Sequence, residues 1–276
     1  MTNTSSLKQA VLTDKEFSKF QQFMMAEAGV SLPAGKQSLV AGRLMKRLRY
    51  YGLKNFNDYL LLIDGRGNEQ ERQETIDLLT THETYFFRED AHFNFLSEVV
   101  SASFTNKPLR IWSAACSTGQ EPYSISMILS EFKREASSWE LLASDISESS
   151  LAEAKRGIYL DKQMQSLPNT YLKKYCLKGV RSQEGKYTVT KALRNKIDFR
   201  KINLNEGFSK VGRFDFIFLR NVMIYFDLET KRKIVKKLVK QLNPGGYLLV
   251  GHSETLNSVN SDISYVRPSI YRLNSD

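Results

Sequence analysis

The sequence contains few of the residues that build disulfides or metal sites. Among its 276 residues there are two cysteines and three histidines. Cys116 and Cys176 lie far apart and have no CxxC spacing, so we expect neither a disulfide nor a zinc site. The histidines, His82, His92 and His252, are scattered along the chain. We therefore expect no structural or catalytic metal.

Long apolar runs are also missing. No stretch approaches the roughly 18 consecutive apolar residues that a membrane-spanning helix needs. Residues 1–10 are polar and lack the apolar centre of a signal peptide. We expect a cytoplasmic protein that does not insert into a membrane.

Acidic residues are absent from one long segment of this basic chain. The net charge is +10 and the pI is about 9.4, which predicts an acidic partner: a nucleic acid, an anionic membrane or an acidic protein surface. Residues 28–57 contain no acid and six basic residues, namely Lys36, Arg43, Lys46, Arg47, Arg49 and Lys54. A second basic cluster, at 231–240, has apolar residues at helical spacing, and we interpret it as the solvated face of a helix.

Two patterns divide the chain. Up to about residue 80 the apolar spacing is helical, and we predict four helices, at 14–28, 37–50, 56–63 and 72–79. After about residue 107, strands alternate with helices, which predicts a doubly wound, mostly parallel α/β sheet. We therefore expect a helical domain at 12–80, a linker at 81–107 and an α/β domain at 108–276, with a small β-subdomain inserted at about 160–196.

Two acids follow the first two predicted strands of this sheet. In such sheets, ligands bind beyond the carboxyl ends of the strands. Asp145 ends the second strand, where an acid can accept hydrogen bonds from both hydroxyls of a ribose. Glu121 begins a helix, where it would oppose the pyrophosphate of a dinucleotide but suit a cationic amino group. The pair favours a nucleoside with a positively charged tail, such as S-adenosylmethionine.

Arg220 and Asn221 end a further apolar strand, 214–219, at the same edge. Methyltransferases that act on amino nitrogens usually have an Asn/Asp-Pro-Pro-Tyr motif at this place. The run here is Asn-Val-Met-Ile-Tyr, residues 221–225, so methylation of an amino nitrogen is disfavoured.

Six motifs stand out in chain order: TYFFR at 84–88, AACSTGQEPYS at 114–124, SDI at 144–146, AKRGIY at 154–159, FLRNVMIYF at 218–226 and GHSE at 251–254. Together these motifs resemble the CheR family of chemotaxis methyltransferases. Any one of them could occur by chance, but six in the order and spacing of the family hardly could. The resemblance extends from about residue 12 to the C-terminus.

The resemblance implies an S-adenosylmethionine-dependent enzyme that forms methyl esters on glutamate side chains of chemoreceptors. It implies cofactor contacts from Thr84, from Arg88 near the methionine carboxylate, and from His82, where family members often have Asn. Glu121 would meet the amino group and Asp145 the ribose. The adenine and methionine parts would be bordered by Asn203, Leu204, Arg220 and Asn221.

The expected reaction needs no general base. A glutamate carboxylate, with a reference pKa of about 4.3, is already ionised at neutral pH. The protein must align the carboxylate with the methyl group and limit water. We predict that Arg220 and Tyr225 position the carboxylate. An equally good interpretation of Tyr225 is that it only packs under the following helix.

The resemblance also suggests partners. Arg43, Lys46 and Arg47 share one stripe of the predicted helix 37–50. Chemoreceptor methylation regions are acidic helical bundles, so we expect these residues to bind the cytoplasmic domain of chemoreceptors. Some family members also capture a receptor C-terminal peptide at the β-subdomain. Here Arg181 replaces an expected glycine between Gly179 and Gly185, which weighs slightly against that capture.

Two other functions remain open at this point. An RNA or small-molecule methyltransferase would use the same cofactor site and would also explain the positive charge. A non-catalytic, cofactor-binding scaffold in a signalling complex is the second alternative. We favour chemoreceptors over nucleic acid as the partner.

Overall fold

The structure, a computed structural model, describes residues 10–104, 108–132, 139–256 and 262–274. The chain divides into two compact units, Met1–Thr81 and His82–Asp276. Residues 1–9, most of the polar segment from which we expected no signal peptide, lie outside the described residues. Among the described residues, no helix is long and apolar enough to cross a membrane.

The first unit is helical, as predicted. Its helices are α1 (Asp14–Ala28), α2 (Gln37–Tyr50), α3 (Phe56–Asp64) and α4 (Glu69–Leu79). Thr13 begins α1 with a reciprocal capping box, in which Glu16 accepts from the Thr13 backbone. Helix α4 begins three residues before the predicted start, because Glu69 and Glu71 in its first turn suit the positive end of the helix dipole.

The second unit is the predicted α/β fold. Its helices are α5 (Ala91–Ser103), α6 (Gln120–Phe132), α7 (Glu148–Arg156), α8 (Asn169–Tyr175), α9 (Lys191–Arg194) and α10 (Leu228–Val239). The strands of its large sheet are β1 (Leu109–Ala114), β2 (Trp139–Asp145), β6 (Ile197–Lys201), β7 (Phe214–Leu219), β8 (Leu242–Val250), β9 (Ile263–Arg267) and β10 (Ile270–Leu273).

The sheet has the order β6-β2-β1-β7-β8-β10-β9. The first five strands are parallel neighbours, and β10 and β9 are added antiparallel. The carboxyl ends of β6, β2, β1, β7 and β8 therefore meet at one edge. This edge is where the predicted cofactor residues follow the strands.

A second, small sheet corresponds to the inserted β-subdomain. It has the antiparallel order β3-β5-β4, with β3 at Ile158–Leu160, β4 at Cys176–Lys178 and β5 at Lys186–Val189. Both cysteines are buried and free.

Two local features differ from what the sequence patterns suggest. The segment 81–107, which we expected to be a linker, contains helix α5, whose buried side chains include Phe93, Leu96 and Val100. Residues 243–246, an Asn-Pro-Gly-Gly run typical of a turn, are part of the continuous strand β8. A register shift between Phe214 and Phe216 of β7 accommodates these residues within the strand pair.

Candidate active site

Asp145 is fixed at the carboxyl end of β2 by two backbone amides. The Ser117 N–H donates to Oδ2 at 2.8 Å and the Ser147 N–H donates to Oδ1 at 2.9 Å. Only 6% of Asp145 is exposed. The loop after β1 and the start of α7 thus hold both carboxylate oxygens at the ligand-binding edge of the sheet, where a ribose would need them.

The loop after β1 contains small residues for a structural reason. Gly119 has φ +97°, and a Cβ there would lie 2.8 Å from the Ala154 Cβ and 3.0 Å from the Tyr159 hydroxyl. The close approach of this loop to α7 therefore requires glycine. The loop also bonds to the segment before it, since the Ser117 hydroxyl donates to the His82 carbonyl at 3.1 Å.

Glu121 and Arg220 form an ion pair at this edge. Arg220 Nη1 donates to Glu121 Oε2 at 2.7 Å, and the Ser113 hydroxyl donates to Oε1 at 2.7 Å. The Arg220 side chain is 2% exposed and that of Glu121 is 13% exposed. Arg220 and Ser113 thus fix both oxygens of the Glu121 carboxylate at the edge of the sheet where the amino group of the cofactor is expected.

The rest of the Arg220 guanidinium is bound to the segment that carries the TYFFR motif. Nη2 donates to the Arg88 carbonyl and, at 3.1 Å, to Glu89 Oε2. The guanidinium also lies 5.3 Å from the centre of the Phe93 ring. These contacts show Arg220 holding Glu121, Arg88 and Glu89 together, while its predicted contact with the acceptor carboxylate stays a prediction.

Residues 82–89 bring the other predicted cofactor residues to the same loops. Arg88 Nη1 donates to the Glu83 carbonyl at 2.8 Å, and its guanidinium lies 5.7 Å from the Tyr85 ring centre. The Phe87 N–H donates to the Ser124 hydroxyl of α6 at 3.0 Å. His82, Thr84 and Arg88 are each partly buried.

Asn203 and Leu204 follow β6 beside Asp145. The Ile202 N–H donates to the Asp145 carbonyl at 3.1 Å, which joins the ends of the two strands. Asn203 is partly buried and accepts from the Asn205 N–H at 3.0 Å, and Leu204 is 8% exposed. The structure thus brings both residues to the side of the edge where Asp145 lies.

The segment after β7 is held by two carboxylates. The Asn221 N–H donates to Glu254 Oε2 and its side-chain Nδ2 donates to Glu89 Oε1, both at 3.0 Å. A 3₁₀ turn, Met223–Tyr225, follows, and Tyr225 is partly buried. Both interpretations of Tyr225, substrate positioning and packing, stay open on this geometry.

Unusual backbone conformations concentrate at this edge. Seven described residues other than glycine have positive φ, and five of them lie in segment 82–89, in the loop after β1 or in the loop after β7. These five are Phe87, Glu89, Ala115, Ser117 and Asn221. Such conformations cost of order 1–3 kcal/mol each and are typical of binding and catalytic sites.

Burial shifts the proton affinity of several groups here. Burial opposes ionisation of Glu89, but hydrogen bonds from Asn221 and the His252 backbone, together with the Arg220 charge, keep the Glu89 pKa below its usual value. Burial and the Arg220 charge lower the pKa of His92 to about 3. Burial raises the pKa of Cys116 well above its usual value, so this thiol is not a nucleophile at neutral pH.

Glu89, His92 and His252 lie close enough to suggest a metal site, since their ligand atoms are all within 4.8 Å of one another. However, Glu89 already accepts hydrogen bonds from Asn221, from the His252 N–H and from Arg220. The Arg220 cation, 3.1 Å from this carboxylate, opposes a second cation. We infer no metal from this cluster, and the expected absence of a metal stays a prediction.

Sequence reasoning missed two acids of this site. Glu89 directly follows the TYFFR motif and Glu254 ends the GHSE motif, yet neither was given a role. Their function depends on which backbone groups they reach. The sequence shows the motifs but not these contacts.

Two family descriptions match the chain. "CheR methyltransferase, SAM binding domain" covers residues 82–271, and "CheR methyltransferase, all-alpha domain" covers residues 15–80. This chain belongs to the CheR methyltransferase family. It is a methyltransferase whose cofactor is S-adenosylmethionine.

Curated relatives of this CheR chain match it over nearly their whole length. A "Chemotaxis protein methyltransferase" of Borreliella burgdorferi is 38% identical over 95% of this chain and 95% of its own. Its namesake in Escherichia coli is 38% identical over 96% of this chain and 93% of its own. A solved structure of the glycopeptide N-methyltransferase MtfA complexed with sinefungin is similar at TM-score 0.38 and 15% identity, over 63% of this chain and 53% of that chain, a likeness too slight to support an argument.

The basic helix α2 of this CheR chain uses two of its three predicted substrate-binding residues internally. Arg43 Nη1 donates to the Leu78 and Thr80 carbonyls, at 3.1 and 2.9 Å. Arg47 pairs with Glu71, which is 4% exposed. Lys46 is exposed and forms no ion pair with a described residue.

The turn geometry of the β-subdomain in this CheR chain accounts for its glycines. A Cβ on Gly179 would lie 2.0 Å from the Gln183 carbonyl oxygen, and Gly185 has φ +78°. Both glycines are required by the turn itself, so they do not indicate a docked peptide. Arg181 has φ +55°, a conformation that favours glycine, which agrees with the expectation that a glycine would suit this position.

Proposed function

We propose that this methyltransferase esterifies glutamate side chains on the cytoplasmic domain of chemoreceptors, using S-adenosylmethionine. The observation that carries the proposal is its similarity to chemotaxis protein methyltransferases over nearly the full length, helical unit included. The same proposal places the protein in the cytoplasm, where that receptor domain lies.

The proposed roles of the site residues follow from their positions near the carboxyl ends of the parallel strands. Asp145 accepts hydrogen bonds from the ribose hydroxyls, and Glu121 binds the amino group of the cofactor. Arg88 binds the carboxylate of the cofactor, and His82 and Thr84 add contacts from the same segment. Asn203, Leu204 and Asn221 border the adenine and methionine parts.

The chemistry fits a carboxylate acceptor. The cofactor supplies an activated methyl group, and the acceptor is already ionised, so no residue has to remove a proton. The work of the chain is to orient the acceptor oxygen and exclude water. We assign this work to Arg220 and Tyr225, and the charge of the buried Arg220 is balanced by Glu121 and Glu89.

The helical unit supplies the receptor contact in this proposal. Lys46 and Arg49 are exposed on α2, and their charges suit an acidic helical bundle. Arg43 and Arg47 remain proposed substrate-binding residues, but they also tie α2 to α4. Capture of a receptor C-terminal peptide by the β-subdomain is not part of the proposal, because its glycines have a structural explanation.

Transfer of labelled methyl from S-adenosylmethionine to chemoreceptor-containing membranes tests the proposal. We expect label in the receptor band, released as methanol by mild base, as esters require. Label in RNA or in a small molecule would support those alternatives. Cofactor binding with no transfer to any acceptor would support the scaffold.

A further inference from the structure

Glu254 is a buried carboxylate to which the proposed function assigns no role. It is 7% exposed. Burial raises its pKa, opposed by hydrogen bonds from the backbone, and Glu254 forms no ion pair with a described residue. A buried charge without an ion pair is unfavourable unless hydrogen bonds satisfy it, so its partners indicate its purpose.

The partners of Glu254 are backbone N–H groups of two loops. Oε2 accepts from Gly251 at 2.6 Å and from Asn221 at 3.0 Å, and Oε1 accepts from Ile224 at 3.3 Å. Gly251 directly follows β8, whereas Asn221 and Ile224 follow β7. One carboxylate therefore ties together the loops after two neighbouring parallel strands, at the ligand-binding edge of the sheet.

The Glu254 carboxylate and Asn221 both lie close to Gly251. A Cβ on Gly251 would lie 2.6 Å from Asn221 Nδ2 and 2.9 Å from Glu254 Oε2, so no larger residue fits without displacing one of them. Asn221 is held with φ +55°, an uncommon conformation for a residue other than glycine. The loop after β7 thus has one specific shape, and Glu254 maintains it.

The bonds of Glu254 do not reach the predicted cofactor carboxylates. Asp145 is held by Ser117 and Ser147, and Glu121 by Ser113 and Arg220. The segment that Glu254 does hold, 221–225, ends in Tyr225. Glu254 therefore acts on the side of the site where the acceptor is expected.

We infer that Glu254 is a positioning residue for methyl transfer. Its carboxylate, by accepting from Asn221, Ile224 and Gly251, holds segment 221–225 so that Tyr225 meets the acceptor carboxylate in line with the methyl group. This inference rests on the proposed function. It predicts a larger effect on the rate of transfer than on the binding of cofactor or receptor.

Glu254→Ala and Glu254→Gln test the inference. Because a misplacement of about 1 Å can reduce a rate about 100-fold, we expect kcat to fall about 100-fold in Glu254→Ala. Glu254→Gln keeps the size and one acceptor oxygen but turns an NH₂ group towards a backbone N–H, so its kcat should fall about 10-fold. The Kd for S-adenosylhomocysteine, whose proposed site Asn221 borders, should rise by clearly less than kcat falls, and the KM for receptor should stay within about threefold in both variants. Ser253→Ala, at the exposed neighbour, is the control and should behave as wild type.

Gly251→Ala provides an independent route to the same effect. It should lower kcat by displacing Asn221 or Glu254, and combining it with Glu254→Gln should add little, since both disturb one contact. This pair decides the question if Glu254→Ala does not fold. A folded Glu254 variant with kcat within about threefold of wild type would overturn the inference, as would an equal loss of cofactor affinity and turnover. Failure of the wild type to methylate receptor would instead contradict the proposed function.

Discussion

Replacing Asp145 by asparagine should weaken cofactor binding about 100-fold or more. The change removes the charge and turns one oxygen into an NH₂ group, with little change in size. One ribose hydroxyl then loses its acceptor, and the other keeps a neutral one. Since hydrogen bonds to charged groups contribute about 1.5–3 kcal/mol and neutral ones about 0.5–1.5 kcal/mol, the expected loss is about 3 kcal/mol. Each 1.4 kcal/mol is tenfold in affinity, which gives the 100-fold figure.

Calorimetric titration with S-adenosylhomocysteine measures this loss directly. Asp215→Asn is a matched control, because Asp215 also accepts a backbone N–H, from Arg110 at 2.8 Å, but lies at the amino end of β7. The control should bind as wild type. If Asp145→Asn bound the ligand as tightly as the Asp215→Asn control does, the assignment of Asp145 to the ribose would be wrong.

Three further predictions concern the helical unit and the acceptor side. Glu71→Gln should lower the free energy of unfolding of that unit by about 2–4 kcal/mol in a urea titration. This is somewhat less than the cost of breaking a fully buried ion pair, because the Arg47 side chain is 23% exposed. An unchanged midpoint would contradict the prediction. The pKa of Glu71 is lowered in the folded state, because hydrogen bonds from Arg47 and Tyr59 outweigh burial. The stabilisation by Glu71 should therefore be complete above pH about 4.5 and be lost as pH falls below that value. A wild-type stability no more acid-sensitive than that of Glu71→Gln would refute this. Lys46→Glu should raise the KM for receptor at low salt without changing cofactor affinity, whereas Lys233→Glu on α10 should not; equal KM values for the two variants would show that α2 is only a solvated face.

The structure also changes how the receptor contact should be tested. Reversing the charges of Arg43 and Arg47 was the natural experiment from sequence, because both lie in an acid-free segment. Arg43 donates to two carbonyls at the end of α4, and Arg47 pairs with the buried Glu71. Reversing their charges would destabilise the helical unit, so that a loss of receptor binding could not be distinguished from a loss of folding. Lys46 avoids this difficulty.

Local sequence signals were sufficient for most elements of the fold. Helices α1 and α2 have the predicted limits, since apolar spacing marks both and Gly29 caps α1. Helix α5 was missed because Asp90 provides no side-chain cap and apolar residues surround much of the helix. The long β8 depends on pairing with β7, an earlier segment of the chain, which periodicity does not show.

The candidate site was predictable only where one residue has one role. Asp145 and Glu121 follow from strand ends and helix starts, which the sequence marks. The sharing of Arg220 among Glu121, Glu89 and the Arg88 carbonyl joins positions far apart in the chain. The contact of Glu254 with three amides is of the same kind. Such contacts arise from the packing of loops and carry no local signal.

The identity of the methylated group tests the central claim most directly. Chemoreceptor incubated with the protein and a methyl-deuterated cofactor can be digested and analysed by tandem mass spectrometry. The account predicts a deuterated methyl group on glutamate side chains of the receptor's cytoplasmic domain, lost after mild base and absent with Asp145→Asn at limiting cofactor. Stable methylation of lysine, arginine or RNA, with unmodified glutamates, would contradict it.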